Sequence, residues 1–164
     1  MTPEWLQMMA RYNAWQNGWV MPIVAGMSDV ERDLDRGAFF GSIAGTLSHL
    51  MWGDMMWMAR FDGGEAPGGS IHETPTFYRD WPAFVDARAA LDQRIADWAG
   101  QETCFDGQLV WYSGAVGREI SADRVVCYTH FFNHQTHHRG QVHAMLTAAG
   151  QKTHDTDIPF MPDF

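Results

Sequence analysis

The stretch IAGTLSHLMWGDMMWMARF, residues 43–61, is the most apolar segment of the chain. It also contains His49, Asp54 and Arg60, which make it too polar to span a bilayer. Its length and apolar content are typical of a helix buried in the core of a domain. Ser42 can cap the first turn, because a serine side chain accepts a hydrogen bond from an unpaired backbone N–H. The stretch therefore predicts a long core helix.

Two helices are predicted before this stretch. Thr2 followed by Pro3 is typical of a helix start, and apolar residues then recur at spacings of three and four to about residue 25. The sequence from Ser28 to Glu31 is a capping-box pattern and predicts a short helix. The N-terminus lacks the basic region and clean apolar run of a signal peptide.

Two more long helices are predicted after it. Asp80 can cap the first of them, with Gly100 as its stop. Ser121 can cap the second, which is expected to end near Ala149. Between them, residues 105–120 break the helical pattern, and LVWY and GREI on either side of SGAV predict a small hairpin.

Four long helices with one long connection predict an all-α fold, a four-helix bundle with a small hairpin between the third and fourth long helices. The connection, residues 62–80, is rich in Gly and Pro; loops of this length often line a functional site, and a disordered segment is the alternative. The 164 residues suit a single domain, 1–164, without internal repeats or a boundary.

Composition excludes several classes of partner. The net charge of −9 argues against nucleic acid and anionic membranes, which repel an acidic surface. The 46% hydrophobic content argues against disorder. The two cysteines, Cys104 and Cys127, form no CxxC pair and suit a reducing cytoplasm. We therefore expect a folded cytoplasmic protein.

The last predicted helix concentrates histidines. NHQTHHRGQ, residues 133–141, holds three of the eight in the chain. At about 100° per residue, His134 and His138 lie side by side one turn apart, the spacing at which two imidazoles can bind one ion. Arg139 is expected to point mostly outward. The face of His134 also carries Cys127, Gln141 and Met145, which indicates that it faces the bundle interior.

A third ligand would have to come from another helix. His49 is the natural candidate, because it lies in the core stretch among apolar residues and a buried imidazole needs a hydrogen bond or a metal. On the residues alone, a metal site and a set of packing histidines both stay open. Position 135 is Gln, which excludes an HExxH metalloprotease. We expect surface or loop positions for His72, His143 and His154, and a buried apolar role for Cys127.

Three segments together resemble the DinB family, also called DinB/YfiT-like metalloenzymes. RYNAWQN at 11–17 is similar to the family's first-helix motif, and GSIAGTLSHLMWGDMMWMARF at 41–61 to its second helix. HFFNHQTHHRGQ at 130–141 is similar to its signature, the most specific of the three. The resemblance runs over nearly the whole chain and implies a bundle that binds one divalent ion, nickel or zinc.

The resemblance also implies roles for individual residues. The metal ligands would be His49, His134 and His138, with His130 and His137 beside them. Gly140 would allow a neighbouring helix to approach, and Gln141 would orient a ligand histidine through its second ring nitrogen. Family members often form homodimers through bundle faces, so a homodimer is expected.

Three histidine ligands leave an open coordination position, which is typical of a catalytic site. The family relatives with known activity are S-transferases or isomerases that use bacillithiol, mycothiol or glutathione, so a thiol S-transferase acting on small electrophiles is the first hypothesis. A metal-dependent hydrolase, a non-catalytic stress-associated metal-binding protein and a metal-free helical dimer are the alternatives. No general base is assigned: Asp54 is expected to face away from the site, and the polar groups that could reach it are Tyr12, Asn13 and Tyr112.

Overall fold

The computed structural model describes residues 1–162 and is an all-α bundle, as the sequence predicts. A small antiparallel hairpin precedes the last helix, and two single 3-10 turns lie at Thr74–Thr76 and Ile158–Phe160. The elements are α1 (Pro3–Ala25), α2 (Asp29–Asp33), α3 (Ile43–Asp62), α4 (Trp81–Gln101), β1 (Gln108–Ser113), β2 (Arg118–Asp123) and α5 (Arg124–Ala148). The most extensive helix packing is α1 against α4 and α3 against α5.

The predicted helix caps at four helix starts are confirmed. The side chains of Thr2, Ser42 and Asp80 each accept a hydrogen bond from the backbone N–H three residues ahead. Ser28 and Glu31 form a complete capping box at the start of α2. Because each cap satisfies an N–H that the helix itself leaves unpaired, these residues fix where the helices begin.

Two predicted helix boundaries are wrong. Ser121 lies in β2, and α5 begins at Arg124 without a side-chain cap, because the strand continues directly into the helix. Gly100 lies inside α4 rather than after it, and the N–H of Glu102 still bonds to the carbonyl of Trp98. Ser121 is not needed to begin α5, and Gly100 is not needed to end α4. Neighbouring backbone groups supply the hydrogen bonds at both places.

The long connection between α3 and α4 is fastened to α3. The Ser48 hydroxyl donates to the carbonyl of Thr74 at 2.6 Å and accepts from the N–H of Tyr78 at 3.1 Å. The Trp52 indole N–H donates to the carbonyl of Gly68 at 2.8 Å. The loop therefore lies along the same helix that carries His49.

The hairpin lies against the other end of α3. Its strands pair from Gln108 with Asp123 to Ser113 with Arg118. The first strand is one residue longer than predicted at each end, and the second begins one residue later and ends three residues later than predicted. The indole of Trp111 packs edge-on against that of Trp57, with ring centres 5.5 Å apart. This contact holds the tip of the hairpin beside the α3–α5 groove.

A buried network of charged and amide side chains joins α1, α3, α4 and α5. Arg88 forms ion pairs with Asp54 and Asp92, both at 2.7 Å. The network also contains Asn13, Asn17, Gln135 and Arg139. Two arginines therefore balance two aspartates inside the bundle, which meets the requirement that buried charges be paired.

The predicted outward direction of Arg139 is wrong. Its side chain is buried and its guanidinium donates to the Asn13 side-chain oxygen on α1. At about 140° from His134 it lies on a second face of α5, which packs against α1. Because α5 has two buried faces, a residue that lies away from the face of His134 can still be buried.

No helix within residues 1–162 is both long enough and apolar enough to cross a membrane. The core stretch at 43–61 forms the buried helix α3, and its side chains pack with those of the other helices in one apolar core.

Arg88→Met should lower the free energy of unfolding by about 3–5 kcal/mol, because two buried carboxylates then lose the cation with which each forms an ion pair. Urea denaturation measures the change. Arg94→Met is the matched control: it removes a partly exposed ion pair with Asp62 and should change stability by about 0–1 kcal/mol. Equal losses in the two variants would contradict a special role for the buried network.

Candidate metal centre

Three histidines from two helices meet in the groove between α3 and α5. One ring nitrogen each of His49, His134 and His138 lies within 4.8 Å of the others. The Nε2 atoms of His49 and His134 are 3.1 Å apart. Gly53 permits this approach, because a Cβ at that position would lie 3.0 Å from the Cε1 atom of His134. The structure thus brings together the three residues that the family resemblance indicates as ligands.

The loop fixes the protonation of His49. Its Nδ1 atom lies 2.9 Å from the Thr74 hydroxyl, and that hydroxyl donates its one hydrogen to the carbonyl of Ile71 at 2.9 Å. The hydroxyl must therefore accept from His49, so the proton is on Nδ1 and the lone pair is on Nε2. Nε2 is the atom that faces His134.

Gln141 does the same for His138. Its side-chain oxygen accepts a hydrogen bond from Nδ1 of His138 at 2.8 Å, and its amide N–H₂ faces Nε2 of His137 at 3.3 Å. Nε2 of His138 therefore keeps its lone pair for the cluster. A hydrogen bond to the second ring nitrogen is the usual way in which a protein orients a metal-ligating histidine.

Burial keeps the three imidazoles neutral. It lowers the pKa of His49 to about 4 and that of His134 to about 3, and repulsion between the neighbouring rings adds to both effects. Burial also lowers the pKa of His138, although the hydrogen bond with Gln141 acts in the opposite direction. Neutral imidazole is the form that binds a metal ion.

The donor set fits a divalent ion of the zinc or nickel type. It consists of imidazole nitrogens alone, without a thiolate or carboxylate from the described residues, and imidazole suits both metals. Phe40 covers one side, its ring stacked on that of His49 with centres 3.8 Å apart. The other side faces a cavity of about 730 Å³. Three protein ligands beside a cavity are the arrangement of a catalytic site, whereas structural zinc sites have four.

The remaining histidines divide between the cavity and the far side of α5. His130 and His137 lie beside His134 and His138, with ring centres 5.6 and 4.9 Å away, and both line the cavity. His72 lies in the loop and lines it too. His143 and His154 contact Trp19 instead, and His143 is half-buried rather than on the surface as expected.

The other sequence predictions about the site have mixed outcomes. Cys127 is buried outside the cluster, and Asp54 faces Arg88 rather than the cavity, both as expected. Tyr112 lines the cavity, whereas Tyr12 donates to the carbonyl of Thr156 and takes no part in it. The expected helix approach at Gly140 is wrong, because a Cβ there would meet open space.

Sequence reasoning missed three residues that shape the site: Phe40, Gly53 and Thr74. Phe40 and Thr74 lie in loops, where no periodicity shows which way a side chain points. Of the three, Gly53 is the residue that the sequence could have indicated. It is a glycine in a mostly apolar helix, four residues after His49. Such a glycine often marks a close approach.

A sequence profile of the DinB family matches residues 1–164. The chain belongs to the DinB family. No curated protein matches it. Membership and the histidine cluster together are compatible with divalent-metal binding by this DinB protein.

Gln141→Leu should weaken zinc or nickel binding by about 10–100-fold, because His138 loses the acceptor that orients its ring. Competition with a chromogenic chelator measures the affinity. Gln101→Leu, at an exposed position of α4, is the control and should bind as the unaltered protein does. An unchanged affinity in Gln141→Leu would show that this hydrogen bond does not support metal binding.

The metal-free protein should lose stability as the pH falls from about 6.5 to about 4. An unfolded histidine has a pKa near 6.5. The unfolded chain therefore binds protons in this range before His49 and His134 do so in the folded state. Urea denaturation at several pH values, in the presence of a chelator, measures the free energy of unfolding. Its slope against pH should correspond to about one proton fewer in His134→Gln than in the unaltered protein. The same dependence in both proteins would contradict the lowered pKa of His134.

Proposed function

We propose that this DinB protein is a divalent-metal-dependent enzyme that transfers a low-molecular-weight thiol to small electrophiles. The observation that carries the proposal is the set of three neutral imidazole nitrogens at the wall of a cavity of about 730 Å³. That volume is within the range of small-molecule sites in proteins.

A divalent ion held by three imidazoles makes a bound thiol or water more acidic at its open position. The three histidines that would hold the ion line the cavity, and aromatic side chains line much of the remaining wall. These are Phe39, Phe40, Trp52, Trp57 and Tyr112. Such walls favour burial of an apolar electrophile and exclude water from its reacting carbon.

The lining of the cavity favours a thiol over water as the nucleophile. No Asp or Glu among the described residues lines it, so no carboxylate there can act as the general base that metal-assisted hydrolysis commonly uses. A thiol has a pKa near 8.5 and needs far less help to lose its proton. Burial and the charge of Arg60 lower the pKa of His130, so this imidazole beside His134 stays neutral and is a weaker base than a free one. A thiol, the more acidic of the two nucleophiles, depends less on such a base than water does.

In the proposed reaction, the thiolate sulfur forms a bond to the electrophilic carbon of the second substrate. A leaving group such as chloride departs with the electron pair of the bond that breaks. The reaction needs no oxidant or reductant, so thiol, electrophile and metal are the only components required.

The experiment is a conjugation assay with an aryl chloride and each of bacillithiol, mycothiol and glutathione. We expect product formation above the uncatalysed rate with zinc- or nickel-loaded protein, and its loss in chelator and in His134→Ala. His154→Ala, which changes an exposed histidine outside the cavity, should keep the activity.

Turnover with none of the three thiols would overturn the transferase proposal. If metal loading then raised the melting temperature without creating any activity, the non-catalytic alternative would stand. Release of product from an ester in place of thiol conjugation would favour the hydrolase.

A further inference from the structure

The cavity beside the histidine cluster has an electrostatic character opposite to that of the whole protein. The chain carries 20 acidic and 11 basic residues, yet none of the acidic residues among the described part lines this cavity. Arg60 does line it, and it is the sole Arg or Lys to do so within residues 1–162. An anionic ligand would therefore meet a cation in this cavity and no acidic side chain of the described residues.

Arg60 is held in place by two indoles. Its guanidinium carbon lies 4.5 Å from the ring centre of Trp57 and 5.0 Å from that of Trp111. The two rings are themselves only 5.5 Å apart and edge-on to each other, so both lie on one side of the guanidinium and leave its other side free. Among residues 1–162 Arg60 forms neither an ion pair nor a side-chain hydrogen bond.

Other arginines at buried positions differ in this respect. Arg88 has two carboxylate partners, and the guanidinium of Arg139 donates to the side chain of Asn13. Arg60 is half-buried, and its N–H groups remain accessible from the cavity. A guanidinium held against two indoles, with no protein partner for its N–H groups among the described residues, is suited to bind a carboxylate through two parallel hydrogen bonds.

The position of Arg60 relative to the histidine cluster sets the size of such a ligand. Residues 49 and 60 are eleven apart, so they share one face of α3, with α-carbons about 16 Å apart along the axis. Trp57, over which the guanidinium lies, contacts His130 at 5.2 Å between ring centres, and His130 contacts His134 at 5.6 Å. The guanidinium lies over Trp57, which is eight residues and therefore about 12 Å along the axis from His49. Three extended residues span about 10–11 Å and a hydrogen bond adds about 3 Å, so a thiol of tripeptide size is long enough to reach from Arg60 to the histidine cluster.

We propose that Arg60 binds a carboxylate of the thiol substrate while the sulfur lies at the histidine cluster. This inference rests on the proposed transferase function and narrows its substrate to carboxylate-bearing thiols. Bacillithiol and glutathione carry carboxylates, whereas mycothiol ends in a neutral sugar alcohol. The first two are therefore substrates of this cavity, and mycothiol is not.

The test measures binding of each thiol alone to zinc-loaded protein by calorimetry. The unaltered protein should bind glutathione or bacillithiol at least about tenfold more tightly than mycothiol, the difference that a charge-assisted hydrogen bond provides. Arg60→Gln should abolish this preference and leave mycothiol unaffected, and Arg60→Lys should restore part of it. Arg11→Gln removes the same charge from an exposed site outside the cavity and should change nothing.

A second measurement reports on the side chain directly. In the NMR spectrum of metal-free protein, the Nε–H signal of Arg60 should shift on addition of glutathione and stay in place on addition of its diethyl ester. This readout does not depend on metal loading, on activity or on the stability of a variant.

Several outcomes would overturn the inference: tightest binding of mycothiol, no binding of either acidic thiol, or equal weakening of all three thiols in Arg60→Gln. If Arg60→Gln weakened binding of carboxylate-bearing electrophiles alone, Arg60 would bind the second substrate and not the thiol. Selective binding of acidic thiols without conjugation would keep the anchor and overturn the transferase. Conjugation with mycothiol, unchanged in Arg60→Gln, would keep the transferase and overturn the anchor.

Discussion

The close contact between α3 and α5 at Gly53 is the constraint on which the site depends. His49 and His134 belong to different helices, and their Nε2 atoms approach to 3.1 Å because the ring of His134 lies where a side chain of residue 53 would otherwise be. A Cβ there would meet the ring at 3.0 Å, so the imidazole would have to move by some tenths of an ångström. Metal–nitrogen bonds tolerate errors of about 0.2 Å, so even a small displacement matters.

The buried charge network holds this contact in register. Asp54 follows Gly53 in α3, Gln135 follows His134 in α5, and the two side chains hydrogen-bond at 3.1 Å. Asp54 is in turn fixed by Arg88 from α4. A sliding of α3 along α5 by one turn would separate these groups and leave a carboxylate buried without partners. The polar network thus opposes alternative helix packings that an apolar core alone would permit.

The sequence predicts those parts of the fold and site that depend on local geometry. Helical phase places His134 beside His138, and the same phase places Gln141 within reach of a ligand ring. Helix starts are predicted correctly where a side chain caps the first turn. The prediction is wrong at Ser121, where a strand continues directly into the helix. Helical phase gives the wrong direction for Arg139, because phase does not show how many faces of a helix are buried. That His49 meets the other two rings depends on tertiary packing, and the family resemblance indicated it before any distance was known.

Within residues 1–162, charged groups in the helix core are paired with one another, whereas those that line the cavity are not. In the helix core, the Arg88 guanidinium is neutralised by aspartates, and the polar groups around it satisfy one another. In the cavity, the ring nitrogens of three imidazoles and the guanidinium of Arg60 line a common space. Acceptors for a cation lie at one end and donors for an anion at the other. A bundle selected for stability alone would gain from pairing or removing these groups, and this supports the proposal of a ligand that carries both a metal-binding atom and a negative charge.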